Sequence, residues 1–356
     1  MTTNLLVSAL AGRSIGTGHL RRMITLGEAL TRHPGIRLQI HTSPLGLDIL
    51  ARSTLAGRAV ALPAPETPEA TAADLTARLP GIRPDILILD NYFWNAATEA
   101  PLQPHCGRLC VVDDLANRPH LADLLLDQNA NHRPADYADL VPESCLLAVG
   151  SPFCLISAPF QRLREAGFVS AEARAARNRV FVSLGGGDPK RDLPRILKVI
   201  LEGTDLEVSL ATGSHVADAS TLRALASRHA GRVELVFDSP RVAEQMNEAG
   251  FAVSAGGTMT WERAVLGLPT LCLVLADNQI ETARWMETRS LHRSFDMRGT
   301  WSEAKLLTTI RAYAADHSAR IAHAQASSRL IDGKGAETAA RAILDGHLSV
   351  TSAHRY

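Results

Sequence analysis

Short apolar runs alternating with helical periodicities organise this chain. Leu5, Leu6 and Val7 read as a buried strand ending near Ala9, and Leu20, Met23, Ile24, Leu26, Ala29 and Leu30 recur at helical spacing behind it. The same alternation continues through strand-like runs at Ile36 to His41, Ile86 to Asp90, Leu109 to Asp113, Leu124 to Asp127 and Cys145 to Val149. It predicts a parallel sheet with helices on both faces. The proline-rich stretch Leu62 to Pro68 reads as a surface loop. The second half restarts the pattern at Val180 to Leu184, Leu206 to Ala211, Val233 to Phe237, Phe251 to Ser254 and Leu271 to Leu275.

The expected fold class is therefore α/β, with two tandem doubly wound, Rossmann-like domains. Their boundary is placed in the segment Ser151 to Ala176, where Pro152 and Pro159 precede a charged, alanine-rich stretch. The expected division is residues 1–155 and 156–348. Open parallel sheets bind ligands beyond the carboxyl ends of their strands, so two facing domains would line a cleft with loops from both. The tail Ser302 to Leu348 carries three helical stretches, and the chain shows no internal repeat or low-complexity segment.

Composition narrows the function classes. At 356 residues the chain exceeds what one core usually serves, and 46% hydrophobic with 21% charged residues matches soluble globular proteins. Lys plus Arg equals Asp plus Glu at 37 each, so no global field favours nucleic acid or an anionic membrane. The five cysteines, Cys106, Cys110, Cys145, Cys154 and Cys272, make no paired metal-ligand pattern and fit reduced thiols in a cytoplasm. No basic segment leads into an apolar stretch at the N-terminus, so secretion is not expected. The longest apolar run, Ala264 to Ala276, is broken by Gly267 and Pro269 and reads as a helix end, a turn and a strand.

The chemistry concentrates where strands meet helices. Ile15-Gly16-Thr17-Gly18-His19-Leu20-Arg21-Arg22 follows the first strand. Glycines there let backbone approach a ligand closely, and the helix behind offers free N–H groups and a positive dipole end to a diphosphate. An imidazole in such a turn can take a proton near neutral pH, which makes His19 the candidate base. The same position equally suits a histidine that caps a helix.

Ser183-Leu184-Gly185-Gly186-Gly187-Asp188-Pro189 is a second candidate ligand loop, and also a tight turn with Asp188 as N-cap and Pro189 at the first helical position. Ser254-Ala255-Gly256-Gly257-Thr258 is a third, opening a helix near Met259. Glu262, one turn inside, can accept both hydroxyls of a ribose or simply complement the helix dipole. Asp277-Asn278-Gln279 ends the next strand. Its amides suit a neutral sugar, and its acid and Asn278 also suit helix capping. Asp332 to Glu337 reads as a glycine hinge joining two tail helices. In the first half, Asp90-Asn91-Tyr92 and Asp113-Asp114 end strands, with the paired acids pointing to opposite sides and no DxD pattern for a nucleotide-bound metal.

Taken together, these segments resemble the UDP-2,4-diacetamido-2,4,6-trideoxy-β-L-altropyranose hydrolase family of pseudaminic acid biosynthesis. The resemblance runs through Gly16 to His19 with Arg22, Asp90 to Tyr92, Val112 to Arg118, Asp127 to Asn129, Ser183 to Pro189, Ser254 to Glu262 and Asp277 to Gln279. Positions 20 to 23 read Leu-Arg-Arg-Met, whereas relatives often carry a methionine before the arginine and a cysteine after it. The family is similar in fold to GT-B glycosyltransferases. The resemblance implies a cytoplasmic, metal-independent, inverting hydrolase with no cofactor and a UDP-sugar as its small-molecule partner.

In that reading His19 and Tyr92 are the catalytic residues. Gly16, Gly18, Arg22, Gly185, Gly186, Gly256, Gly257, Thr258, Glu262, Asn278 and Gln279 bind substrate, with diphosphate at Gly256 to Thr258, ribose at Glu262 and sugar at Asn278 and Gln279. Two rival classes share the nucleotide site: a GT-B glycosyltransferase using a UDP-amino sugar donor, and a nucleotide-sugar binding module without turnover.

Overall fold

Because side chains alternate across a strand, a run that is apolar at every position needs a core on both of its faces. The first strand shows this directly: Leu5, Val7 and Ala9 enter one hydrophobic cluster, while Leu6 between them enters another. The computed structural model describes residues 2–12, 15–167, 169–185, 188 and 190–348. Strands β1 (Thr3–Ala9), β2 (Ile36–Thr42), β3 (Ala59–Pro63), β4 (Ile86–Asp90), β5 (Arg108–Val112), β6 (Leu124–Asp127) and β7 (Leu146–Val149) form one sheet in the order β3-β2-β1-β4-β5-β6-β7. Strands β8 (Arg179–Ser183), β9 (Glu207–Thr212), β10 (Val233–Phe237), β11 (Phe251–Ala255), β12 (Thr270–Val274) and β13 (Arg293–Asp296) form the other, in the order β10-β9-β8-β11-β12-β13. All recorded pairings are parallel. The two doubly wound sheets expected from the sequence are thus present.

Two edge strands depart from the expectation. The segment read as a loop from Leu62 begins inside β3, and β13 had no apolar signal to announce it. An edge strand has one neighbour and a thinner covering, so it tolerates polar and exposed positions that a central strand does not. Val60 of β3 is 57% exposed, and Pro63, which has no N–H to give, ends the strand at that edge. In β13 the sequence is Arg-Ser-Phe-Asp, and no residue of it is fully buried.

The chain divides into two units, Ala158–Gly333 and a first unit made of residues 1–157 with Lys334 onward. This corrects the expected assignment of residues 334–348 to the second domain. The last helix, Gly335–Asp345, buries Ala336, Ala339, Ala340 and Ile343 in the core of the first unit beside the helix Gly18–Leu30. Its entry is tight: a Cβ on Gly335 would overlap the backbone N, C and O of Cys154.

Alanine is normally the better helix former by about 1 kcal/mol, but overpacking against backbone that cannot rotate away typically costs about 1 to 3 kcal/mol. Gly335→Ala is therefore expected to lower the denaturant midpoint of the whole chain. An unchanged midpoint would show that the docking of this helix is looser than its geometry indicates.

The apolar run at Ala264 to Ala276 resolves into the end of the helix Met259–Val265, a turn with Gly267 at φ +60°, and β12. None of the described helices is long and apolar enough to cross a membrane.

Candidate active site

In a doubly wound sheet the strand order reverses once, and loops leaving the two strands at that point diverge and open a crevice. In the first unit the reversal lies between β1 and β4, whose ends pair Ala9 with Asp90. In the second it lies between β8 and β11, where Ser183 pairs with Ser254. The glycine turn before His19 and the tyrosine loop after Asp90 leave the first reversal; the Ser183 and Ser254 loops leave the second.

In the first unit, Gly12 and Gly16 exchange backbone hydrogen bonds of 2.9 and 2.8 Å, and Gly16 adopts φ +75°, a conformation that favours glycine. Arg13 and Ser14 lie outside the described residues. Thr17 precedes a helix that opens at Gly18, so His19 stands in its first turn, and no side-chain cap is made there. The histidine instead reaches across the reversal. Its Nδ1 lies 2.7 Å from Oδ1 of Asp90, with His19 6% and Asp90 0% exposed.

Burial pushes the Asp90 carboxyl up, and the Arg22 guanidinium and His19 more than reverse this, holding it below its ordinary value. A carboxylate only accepts, so the Asp90 contact calls for the proton on Nδ1; Arg22 Nη2, 3.0 Å from the same nitrogen, then donates to Asp90 Oδ1 and not to the ring, and in the neutral imidazole Nε2 holds the lone pair. The arrangement fixes the tautomer a general base requires. Tyr92, 44% exposed, meets the ring edge-on, with centroids 4.6 Å apart at 82°.

Arg22, one turn along the same helix face, has different partners from those expected. Its Nε donates to Asp90 Oδ2 at 2.7 Å, one terminal nitrogen to Asp90 Oδ1 at 2.5 Å, and the other to Asp114 Oδ2 at 2.7 Å. Burial opposes its charge, and the two carboxylates more than compensate, so its pKa lies well above the ordinary arginine value. A guanidinium 4% exposed and engaged by two acids is built to hold Asp90 rather than to meet a ligand. Asn91 also turns inward, its Oδ1 accepting from Leu10 N at 2.8 Å and tying the ends of β1 and β4 together.

Asp113 and Asp114 do separate as expected. Asp113 accepts from the N–H groups of Leu115 and Ala116 and pairs with Arg118 at 2.7 Å, whereas Asp114 goes to Arg22.

In the second unit, Gly185 has φ +92° and open space where a Cβ would stand; Gly186, Gly187 and Pro189 lie outside the described residues. Asp188 is not the N-cap: the helix starts later than expected, with Asp192 in that place, and Asp188 supports its entry from four residues before. Its carboxylate accepts from Asp192 N at 3.0 Å and Leu193 N at 2.7 Å, and the helix runs Leu193–Gly203.

The third loop matches its expected position, since the helix after it begins at Met259 with Glu262 in the first turn. Gly257 and Thr258 are exposed, and a Cβ on Gly257 would meet nothing within 4 Å. Gly256 sits closer in, its would-be Cβ 3.1 Å from Cys272 Sγ and 3.5 Å from Gln279 Cβ. Buried Arg263 pins this loop from beneath, donating to Ser254 Oγ at 2.8 Å and Ala255 O at 3.1 Å.

Of the amide pair, Asn278 is exposed, but Gln279 Oε1 accepts from Leu275 N at 2.8 Å and so stitches the end of β12. Asp277 does not cap the short turn that follows. It pairs with Arg298 at 2.7 Å.

No protein-family model matches the chain. It is 27% identical over 202 residues to the UDP-2,4-diacetamido-2,4,6-trideoxy-β-L-altropyranose hydrolase of Campylobacter jejuni, an overlap of 57% of this chain and 70% of that protein. It is 21% identical over 189 residues to the spore coat polysaccharide biosynthesis protein SpsG of Bacillus subtilis, covering 52% of this chain and 54% of that one. Among solved structures, Acinetobacter baumannii MurG superposes with a TM-score of 0.66 at 11% identity over 97% of this chain and 100% of its own. Other structural neighbours include the calicheamicin glycosyltransferase and a UDP-N-acetylglucosamine 2-epimerase. The fold is that of the GT-B glycosyltransferases and their epimerase counterparts, two Rossmann-like parallel-sheet domains in one chain.

Proposed function

We propose that this chain hydrolyses the anomeric C–O bond of UDP-2,4-diacetamido-2,4,6-trideoxy-β-L-altropyranose, releasing UDP and the free 2,4-diacetamido sugar with inversion and without a metal. The observation that carries the reading is the His19–Asp90 contact of 2.7 Å, which leaves Nε2 as the free base of a ring held at a sheet reversal point. The 27% identity to a hydrolase of that name supports the choice of substrate and reaction.

In this mechanism a water oxygen attacks C1 of the sugar. Its proton passes to Nε2 of His19, the C1–O bond breaks, and the bonding pair leaves with the β-phosphate oxygen of UDP. Asp90 stabilises the imidazolium that forms, and Tyr92 shapes the place of the water or sugar. The ring then returns its proton to solvent.

The second unit supplies the nucleotide site. Backbone N–H groups of Gly256, Gly257 and Thr258 receive the diphosphate, with Gly185 and Gly186 on the neighbouring loop, and Glu262 takes the ribose hydroxyls. Asn278 meets the sugar with its whole amide, whereas Gln279 offers its NH2 group and one remaining lone pair, because its carbonyl oxygen already accepts from Leu275 N. Gly16 and Gly18 keep the approach to His19 free of side chains, and Arg22 serves the base through Asp90.

Incubating the purified protein with the UDP-diacetamido-altrose alone tests the reading. UDP release without an acceptor supports hydrolysis, release only when an acceptor is added indicates a glycosyltransferase, and tight binding without turnover indicates a binding module. Metal independence predicts an unchanged rate in excess chelator, and a rate abolished by chelator and restored by a divalent cation contradicts it. Glu262→Ala is expected to weaken UDP binding about 10-fold, the loss of roughly one charge-assisted hydrogen bond, with the fold intact. Equal affinity in calorimetry would reassign Glu262 to helix stabilisation.

A further inference from the structure

We propose that Asp114 is a positioning residue for His19, acting through Arg22 to hold and charge-balance the pair His19–Asp90. The inference rests on the reading of His19 as the base.

Four side chains form one connected group: His19 on Asp90 Oδ1, Arg22 on both oxygens of Asp90, and Asp114 Oδ2 on the remaining arm of Arg22. The side chains of Arg22 and Asp90 are 3% and 0% exposed and that of Asp114 13%. The second oxygen of Asp114, Oδ1, is buried and meets no hydrogen-bond donor among the described residues. Its charge is therefore spent on Arg22.

The loop fixes where that charge sits. Asp113 gathers the N–H groups of Leu115 and Ala116, Ala116 adopts the left-handed φ of +46°, and Asn129 Nδ2 donates to the Asp114 carbonyl at 3.2 Å. Held from both sides, Asp114 presents one oxygen to Arg22 along a set direction.

Charge counting shows what this does for the base. With His19 neutral the group holds one cation and two anions, a surplus of one negative charge. When the ring takes a proton the group becomes neutral. Without Asp114, Arg22 would already neutralise Asp90, and an imidazolium would add an uncompensated positive charge to a poorly hydrated place, where such imbalances count for more than in water. Asp114 thus cancels Arg22 and leaves the charge of Asp90 to serve His19. The guanidinium, tied at three nitrogens, also fixes the plane of the Asp90 carboxylate and with it the direction of Nε2.

The titratable and charged groups recorded around the ring are Asp90 at the end of β4, Tyr92 in the loop after it and Arg22 on its own helix, with Asp114 behind Arg22. Asp127 at the end of β6 faces Asp114 and is itself engaged by His132 and Tyr137.

The test follows the His19 ring nitrogens by 15N NMR across a pH titration of the full chain, without substrate, assigned from the spectrum of His19→Gln. In Asp114→Asn the midpoint of His19 protonation is expected to move to lower pH than in the wild type by about half a unit or more. Asp114→Glu, which keeps the charge, is expected to stay near the wild type. A midpoint unmoved in the asparagine variant, or moved equally in both, overturns the proposal. Should Asp114→Asn not fold, Asp114→Ser carries the same expectation. The acid limb of the pH profile for UDP release should move in the same direction. If no variant and no wild-type sample releases UDP, the hydrolase reading fails while the titration still decides the role of Asp114.

Discussion

Replacing His19 by alanine is expected to lower acceptor-free UDP release at least ~100-fold, the scale of a lost general base, while the fold and UDP binding persist. Retention of the fold follows from where the ring sits. It lies in the first turn of the helix Gly18–Leu30, and the hydrophobic anchors of that helix, Leu20, Met23, Leu26 and Leu30, are untouched. The alanine leaves Asp90 with Arg22 still bound to both of its oxygens, so no buried charge is orphaned. The measurement is release of UDP by coupled assay, with circular dichroism and UDP calorimetry as controls. Near-normal turnover would remove His19 from the mechanism.

Asp90→Asn should produce the second large effect, and on two observables at once. An amide matches the carboxylate in shape but not in charge, and it can offer Nδ1 of His19 either a donor or an acceptor, so the tautomer is no longer dictated. Turnover is expected to fall roughly 10³-fold, the middle of the range for acid–base groups.

Stability should fall as well, because Arg22 loses its bidentate anion inside the protein. Breaking a buried pair costs about 3 to 5 kcal/mol when the survivor is stranded, and Asp114 remains to hold one arm of Arg22, so the lower end applies. Denaturant unfolding reads the stability, and the rate assay reads the catalysis. Combined with His19→Ala, the double variant should be no slower than the slower single variant, since both remove one functional unit. Additive losses would mean that Asp90 and His19 act separately.

Much of the site was legible before any coordinates. Glycines around His19, Gly185 and Gly256 mark strand-to-helix turns because those turns need backbone that side chains would crowd, and the structure places the described ones beside the reversal points of their sheets. The imidazole proposed as the base is visible in such a turn. Its partner was not identified, for Asp90 lies 71 residues from His19 and looks, in the sequence, like any acid ending a strand. The one available signal was that β1 and β4 flank the reversal in a doubly wound order, which puts the ends of those two strands side by side.

Arg22 differs for a related reason. The family resemblance implies that it meets substrate, and only the approach of Asp90 and Asp114, both distant in sequence, shows its guanidinium engaged within the protein. Gln279 is similar, since its side chain turns back on Leu275 N, a contact across one tight turn that composition does not reveal.

What the sequence determined by itself is the class of architecture and the location of its loops, because burial on both faces of a parallel sheet requires uninterrupted apolar runs and parallel connections require helices between them. What it left undetermined are the edge strands β3 and β13, the return of the Gly335–Asp345 helix to the first unit, and the partners of its charged residues. Those depend on contacts between segments far apart in the chain, where an acid and a base meet only once packing has expelled water from around them. A local pattern records how each segment buries its own apolar side. It carries no record of which distant charge will stand opposite.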